Sequence, residues 1–286
     1  MTYKQLEKRF PTEEACLDYL VSMRWKNGVV CPRCDNAKVY ALAKPYRWVC
    51  KACAKNGYRF SPLAGTIFEN TNIKLRTWFQ VIFYMSQSKK GMSALQVHRM
   101  IGTGSYRSAW YMCHRIRAAM QDPTFRRLAG VVEVDETYVG GDDRNRHMGK
   151  KKGRGAKTAV IGAIARKGNV VCKVIEETDK KTMQDFVKRT VSPKVSLIAS
   201  DDHTNYSQLD RLGFQHESVV HSRGEYVRGV VHTSNLDSFW SLVKRGIVGS
   251  FHNVSKEYLP LYLNEFSFRH NHRDDAMIFD KIVAGC

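Results

Sequence analysis

From residue 130 onward the apolar segments run strand, hairpin, helix, strand, helix, strand, helix, and this order predicts an α/β domain with the element order of a ribonuclease H-like fold. Two further observations set the expectation for the rest of the chain. Four cysteines in the spacing C-x2-C-x15-C-x2-C predict a zinc ribbon. A stretch of helical period broken by a glycine-containing turn predicts a helix-turn-helix. The expected boundaries are 1–65 for an amino-terminal segment with the ribbon, 66–128 for the helix-turn-helix region and 129–286 for the α/β domain.

With 286 residues, 43% of them hydrophobic, the chain is long enough to bury a proper core. No stretch approaches the roughly 18 consecutive apolar residues of a membrane span, and the opening "MTYKQLEKRF" lacks the apolar core of a signal peptide. The expectation is a cytoplasmic protein with no membrane partner. The formal net charge is +19, and it is unevenly spread. Residues 1–130 hold 22 Lys and Arg against 7 Asp and Glu, whereas residues 131–286 hold 24 against 20. A basic field of this size attracts nucleic acid through counterion release, although it also suits an anionic membrane or plain solubility. The basic half is the expected holder of a polyanion, and the near-neutral half the expected place for acidic chemistry.

The four spaced cysteines are Cys31, Cys34, Cys50 and Cys53, in "CPRC" and "CKAC". Each pair sits on a tight turn that aims two thiolates at one tetrahedral Zn2+, and the intervening segment alternates well enough for a short hairpin. A lysine-rich cytosolic chain argues against a disulfide framework. The zinc is expected to be structural, because a ribbon this small cannot hold itself together without metal and four thiolates leave no ligand position open. Cys16, Cys113 and Cys172 lie in apolar surroundings and read as core residues, and the terminal Cys286 carries no signal.

Beyond the ribbon, "LRTWFQVIFYMSQS" and "SALQVHRM" have helical period, followed by the turn "IGTGS" and the helix "YRSAWYMCHRIRAAM". The second helix of this pair carries Arg107, Arg115 and Arg117 and is the candidate to enter a major groove. Ordinary packing is the competing reading of a basic helical hairpin, and the ribbon and the charge favour DNA binding by Arg107 and Arg115.

In the near-neutral half, "GVVEVDETYVGG" reads as a buried strand that carries three carboxylates. Carboxylates in such a strand are tolerated when they are paired or hold a metal. A glycine-rich basic segment, "GGDDRNRHMGKKKGRGAK", reads as a loop. Next come a hairpin from "TAVIGAIAR" and "VVCKVIEE", a capped helix "TDKKTMQDFVKRTV", a strand "VSLIASDD", a short helix "YSQLDRL" and a strand "HESVVH", with helices from Ser234 onward. Asp135 lies in the first strand, Asp201 ends the strand "SLIAS", and Asp237 sits near the start of the helix "SNLDSFWSLVKRG". Three carboxylates on two neighbouring strands and a nearby helix can converge on a pair of Mg2+ ions, with Mn2+ as a substitute. Such ions activate an attacking hydroxyl and stabilise the leaving oxygen of a phosphodiester. Asp237, Ser241 and Lys244 share one helical face, with Lys244 roughly 10 Å along the axis from the acid, in reach of a phosphate. A merely solvated polar face is the competing reading.

The blocks "VEVDETYVGG", "ASDDHTNY", "HTSNLDSFWSLVKRGIVGSFHNVS" and "LYLNEFSFRHNHR" resemble those of the ISXO-type bacterial insertion-sequence transposases, which carry a DDE catalytic domain of ribonuclease H-like fold. "CPRC…CKAC", "GTIFENT" and "SALQVHRMIGTGSYRSAWYMCHRIR" resemble the ribbon and helix-turn-helix of the same family, so the resemblance spans about residues 15 to 275. It implies Asp135, Asp201 and Asp237 as the catalytic acids and Mg2+ ligands, and Lys244 as the DNA-contacting lysine, with Arg245 beside it. The third position departs from the family's usual Glu. Asp is one methylene shorter, so either the helix lies closer to the metals or Asn235 shares the ligation. Glu133, Glu136 and Asp202 are rival carboxylates, and strand alternation favours Glu133, which shares the face of Asp135. His252 matches a family histidine that touches DNA or the scissile phosphate or caps a helix, and Arg269 and Arg273 either contact DNA or brace the active-site helix.

The implied activity is cleavage at each transposon end followed by attack of the freed 3′-hydroxyl on target DNA. Double-stranded DNA, as transposon ends and as target, is the implied partner. The chain is expected to act at the nucleoid, as a homo-oligomer when bound to DNA. Two alternatives stay open: a structure-specific metal-dependent nuclease, which cuts without joining, and a DNA-binding regulator, which does neither.

Overall fold

The computed structural model describes residues 1–121, 126–140, 157–201, 204–206, 208–219 and 227–286. The glycine-rich basic segment after Val139 and the rival carboxylate Asp202 fall almost entirely outside these residues. The chain forms two compact units, Met1–Gln121 with Asp274–Cys286, and Asp122–Arg273. Among the described residues no helix is long and apolar enough to cross a membrane.

The first unit opens with α1 (Tyr3–Arg9) and α2 (Glu13–Arg24), each started by a threonine whose hydroxyl accepts a backbone N–H of the first turn. The ribbon follows as an antiparallel sheet of β1 (Val39–Ala41), β2 (Trp48–Cys50) and β3 (Tyr58–Phe60), in that order. Its apolar core is small, essentially Trp25, Phe60, Ala64 and two of the cysteines. The sulfur of Cys31 lies 3.8 Å from that of Cys53, and that of Cys34 3.7 Å from that of Cys50. A tetrahedral ion with bonds of about 2.3 Å sets its sulfurs roughly 3.8 Å apart, so the four thiols fit zinc closely.

Next comes α3 (Leu75–Gln87), whose capping residue Lys74 offers no side-chain bond. Glu13 of α2 supplies the cap, its carboxylate accepting the Leu75 N–H at 2.6 Å and the Arg76 N–H at 3.1 Å. The expected helical pair forms as α4 (Ala94–Ile101) and α5 (Tyr106–Ala119). Gly102 ends α4 at φ 66°, a conformation that favours glycine, and Ser105 caps α5.

In the second unit the sheet order is β6-β5-β4-β7-β8, the order of a ribonuclease H-like sheet. The strands are β4 (Val131–Val139), β5 (Thr158–Ala165), β6 (Val170–Ile175), β7 (Leu197–Asp201) and β8 (His216–Val219). β4, β5 and β6 pair antiparallel, and β4, β7 and β8 pair parallel. The helix α6 (Lys180–Thr190), capped by Asp179, packs on one face with Val132, Val134, Ile161 and Ile198. The opposite face, built on Val160, Ile164 and Val170, is covered by α7 (Ser234–Gly246) and α8 (Leu259–Asn271). A π-helical turn, Ile247–Phe251, follows α7. The expected short helix around 206–212 is realised as two 3-10 turns, Thr204–Tyr206 and Asp210–Leu212.

The last helix, α9 (Ile278–Ala284), departs from the expected boundary at 129–286, because it packs into the first unit. Phe279 sits against Phe10 and Phe79, and Asp280 accepts from Arg9 at 2.6 Å and from the Tyr19 hydroxyl. The ribbon and the helical region, expected as separate domains, also fall within this one unit.

With so little apolar core, the ribbon should depend on its ion. One zinc per chain is expected by metal analysis of protein purified without chelator. Cys31→Ser or Cys50→Ser should lose that zinc and expose the ribbon to proteolysis, and an undiminished zinc content in both variants would contradict the assignment.

Candidate functional site

The site begins with Glu133 in β4, which is 0% exposed. The start of α7 has no side-chain cap of its own, since Thr233 makes none. Glu133 fills the gap: Oε2 accepts the N–H of Asn235 at 2.9 Å and of Leu236 at 3.1 Å. Oε1 accepts from the Asn235 side-chain amide at 2.7 Å and from Arg166 Nε at 2.9 Å, and His232 Nδ1 lies 3.4 Å from it. A carboxylate at a helix N-terminus, balanced by a guanidinium, is both capped and charge-compensated. Glu133 does share the face of Asp135, as alternation predicts, but its lone pairs serve α7, and it stands outside the acidic cluster. The Asn235 amide is engaged with Glu133 as well.

Two residues further along β4 comes Asp135. Glu133 pairs with Ala199 of the parallel strand β7, so the same register carries Asp135 and Asp201 side by side at the end of β7. Among the described residues, carboxylate oxygens of Asp135, Glu136 and Asp201 lie within 4.8 Å of one another. Glu136 is the unexpected member. Its backbone faces the α6 side of the sheet, yet its longer side chain reaches the cluster, held by the buried Tyr206 hydroxyl at 2.7 Å. Asp237, on the first turn of α7, lies outside this group of three and accepts from the Thr233 hydroxyl at 3.3 Å. Burial, and then the charges of Asp201, Glu136 and Asp237, push the Asp135 carboxyl up to about 7. Burial and Glu136 likewise hold the Tyr206 hydroxyl well above its ordinary value. The indole Nε1 of Trp240 donates to Asp135 Oδ2 at 3.0 Å.

Along α7 the residues Asp237, Ser241, Lys244 and Arg245 are exposed, and Arg245 Nε donates to the Ser241 carbonyl at 3.2 Å. His252, also exposed, ends the π-helical turn at φ 60°. On α5, Arg107 is exposed and lies over the Tyr111 ring at 5.6 Å. Arg115 is exposed but ties down the preceding loop, donating to the carbonyls of Ile67 at 3.0 Å and Glu69 at 2.9 Å. Arg117 turns inward instead, 1% exposed, with Nη2 3.5 Å from the Met92 carbonyl. Arg269 is buried, ion-paired to Glu265 and set over the Phe266 ring at 5.0 Å, a bracing position within α8. Arg273, exposed at the end of this unit, donates to the His270 carbonyl at 2.8 Å.

Two outcomes follow from these contacts. Glu133→Ala strands Arg166 and the first N–H groups of α7, so urea denaturation should show a loss of about 3–5 kcal/mol, the usual cost of removing one partner of a buried pair; an unchanged midpoint would remove Glu133 from this role. Asp135 behaves oppositely. Its folded-state pKa lies above the ordinary value, so the metal-free protein loses stability as pH rises from about 4 to about 7. Asp135→Asn should therefore raise the melting temperature of the metal-free protein at pH 8, with the gain fading toward pH 4, and an equal gain at both pH values would show that the buried, ionised carboxylate is not its source.

Comparison with known proteins agrees with this layout. Residues 127–271 match the family model described as ISXO2-like transposase domain, and residues 11–56 match that described as transposase zinc-ribbon domain. Over 278 residues the chain is 28% identical to "Uncharacterized protein in transposable element ISH50" of Halobacterium salinarum, the match covering 92% of each. Among solved structures it is similar to a chain of the Mos1 strand transfer complex, with TM-score 0.31, 10% identity and coverage of 72% of this chain and 77% of that one. It is also similar to a chain of the simian T-cell lymphotropic virus intasome in complex with PP2A regulatory subunit B56 gamma, with TM-score 0.33, 10% identity and coverage of 65% and 66%. These structural likenesses are too distant to bear on the site. The family match spans over half of the chain and takes in every residue of the acidic cluster, so the chain belongs to the ISXO2-like transposases.

Proposed function

We propose that this transposase binds the terminal inverted repeats of an insertion sequence, cuts a phosphodiester at each end and joins the freed 3′-hydroxyl to target DNA. The observation that carries this reading is the meeting of Asp135, Glu136 and Asp201 oxygens within 4.8 Å inside the matched transposase domain. Asp135, Asp201 and Asp237 are read as ligands of two Mg2+ ions, with Mn2+ as a substitute. The donor set fits, being all hard carboxylate oxygen, and the upward pressure on the Asp135 carboxyl, from burial first and then from the neighbouring carboxylates, is of the kind that a bound cation relieves. When bound, such ions supply activation of the attacking hydroxyl and stabilisation of the leaving oxygen.

The chain's own residues do the rest. In the first step water adds to phosphorus and the bond to the transposon 3′ oxygen breaks, leaving a 3′-hydroxyl and a 5′-phosphate on the flank. In the second step that 3′ oxygen bonds to a target phosphorus and a target 3′-hydroxyl departs, so no external energy source and no covalent protein–DNA intermediate are needed. The exposed Lys244 and Arg245 lie on the helix that carries Asp237, where they would grip phosphates of the strand being cut. The basic first unit, with Arg107 on α5, is read as the binder of end sequences, and two ends held together require at least two copies of the chain. The setting is the cytoplasm, at the nucleoid.

An oligonucleotide assay with the element's own flanking ends and Mg2+ tests this. Asp135→Asn, Asp201→Asn and Asp237→Asn should each bind end DNA yet lose cleavage and joining by orders of magnitude. Asp237→Glu should keep measurable activity, and Lys244→Ala should weaken engagement of the cut end more than metal binding. Wild-type cleavage and joining by Asp237→Asn would remove it from the set and leave Glu136 as the leading third carboxylate.

A further inference from the structure

The strand β5 is apolar and buried along its whole length, and one glycine interrupts it, Gly162. Gly162 pairs directly with Asp135 across the β4–β5 ladder. A glycine inside a strand marks a place where something approaches closely, and here that something is Trp240 of α7. A Cβ built at Gly162 would lie 2.5 Å from Trp240 Cζ2 and 2.7 Å from Cη2. The ring therefore lies directly on the backbone of the neighbouring strand, and from that seat its N–H reaches Asp135 Oδ2 at 3.0 Å. Trp240 is 3% exposed, so water does not compete well for the bond.

We propose that Trp240 is a positioning residue for the metal site: its indole N–H fixes the rotation of the Asp135 carboxylate, and Gly162 is glycine to admit the ring that does so. Trp240 lies one turn beyond Asp237 on the same helix, so this bond ties the helix-borne acid to the strand-borne one. The inference rests on reading Asp135 as a metal ligand. Partners that orient a ligand typically contribute 10–100-fold to metal affinity.

The test is direct Mn2+ binding by the zinc-loaded full-length protein, followed by electron paramagnetic resonance. Trp240→Phe keeps an aromatic side chain and removes the N–H; it should weaken Mn2+ binding by about tenfold or more while the protein stays folded by circular dichroism. Gly162→Ala should weaken Mn2+ binding similarly, by displacing the ring. Asp135→Asn separates the two readings. If it abolishes Mn2+ binding while Trp240→Phe binds as wild type, the positioning role is wrong and the metal site stands; if Asp135→Asn binds Mn2+ as wild type, the metal-site reading itself fails. Should Trp240→Phe not fold, the indole resonances of the five tryptophans in 15N-labelled wild-type protein carry the test. One of them should shift on Mg2+ addition and also in Asp135→Asn, and five resonances indifferent to both would overturn the proposal.

Discussion

The second unit depends on a buried glutamate, which seats a helix and stands outside the acidic cluster. Glu133 joins the first turn of α7 to the central strand through two backbone N–H groups and one side-chain amide, and Arg166 balances its charge. A single buried carboxylate left without partners is expensive, which makes the arrangement close to all-or-none. Once α7 is seated, the places of Asp237, Trp240, Lys244 and Arg245 follow from helical geometry. The first unit uses the same device, with Glu13 of α2 capping α3 where Lys74 provides no cap. In both cases the carboxylate comes from a different element, so capping also serves as tertiary docking.

Against that stable anchor stands a cluster that the fold holds together despite repulsion. Asp135 and Asp201 are brought side by side by parallel register, and Glu136 joins them from the other face of the sheet. Two aromatic donors restrain the cluster from opposite sides, Trp240 on Asp135 and Tyr206 on Glu136. Both are buried, so each of these two carboxylates is oriented by a neutral hydrogen bond. That combination of rigid placement and closely spaced like charges is characteristic of sites that give up stability for function.

Much of this was legible in the chain. The cysteine spacing foretold the ribbon, the alternation of segments foretold the sheet, and helical period marked out Ser234–Gly246 as a helix. Alternation also placed Glu133 and Asp135 on one face, but side-chain periodicity says nothing about which partner a buried acid meets. Glu133 meets a helix start 102 residues away, and Glu136 meets Tyr206 from 70 residues away. Gly162 was a readable signal of close approach, although only the structure names the tryptophan behind it. Arg117 follows Ala109 and Cys113 along the buried stripe of α5, and so helical period itself argued against its exposure. Nothing local could have shown that α9 packs among Phe10 and Phe79, because that contact is set by surfaces far apart in sequence.

The placement of α9 bears on how the chain folds during synthesis. Domains usually form in the order in which they emerge from the ribosome, the amino-terminal one first. Here the amino-terminal unit lacks α9, with Phe279 and Asp280, until Ile278–Ala284 has been translated, and that segment follows every described strand and helix of the second unit. The transposase fold can therefore close before the basic unit is complete, and a nascent chain that stops short of α9 carries a finished sheet and an unfinished aromatic core.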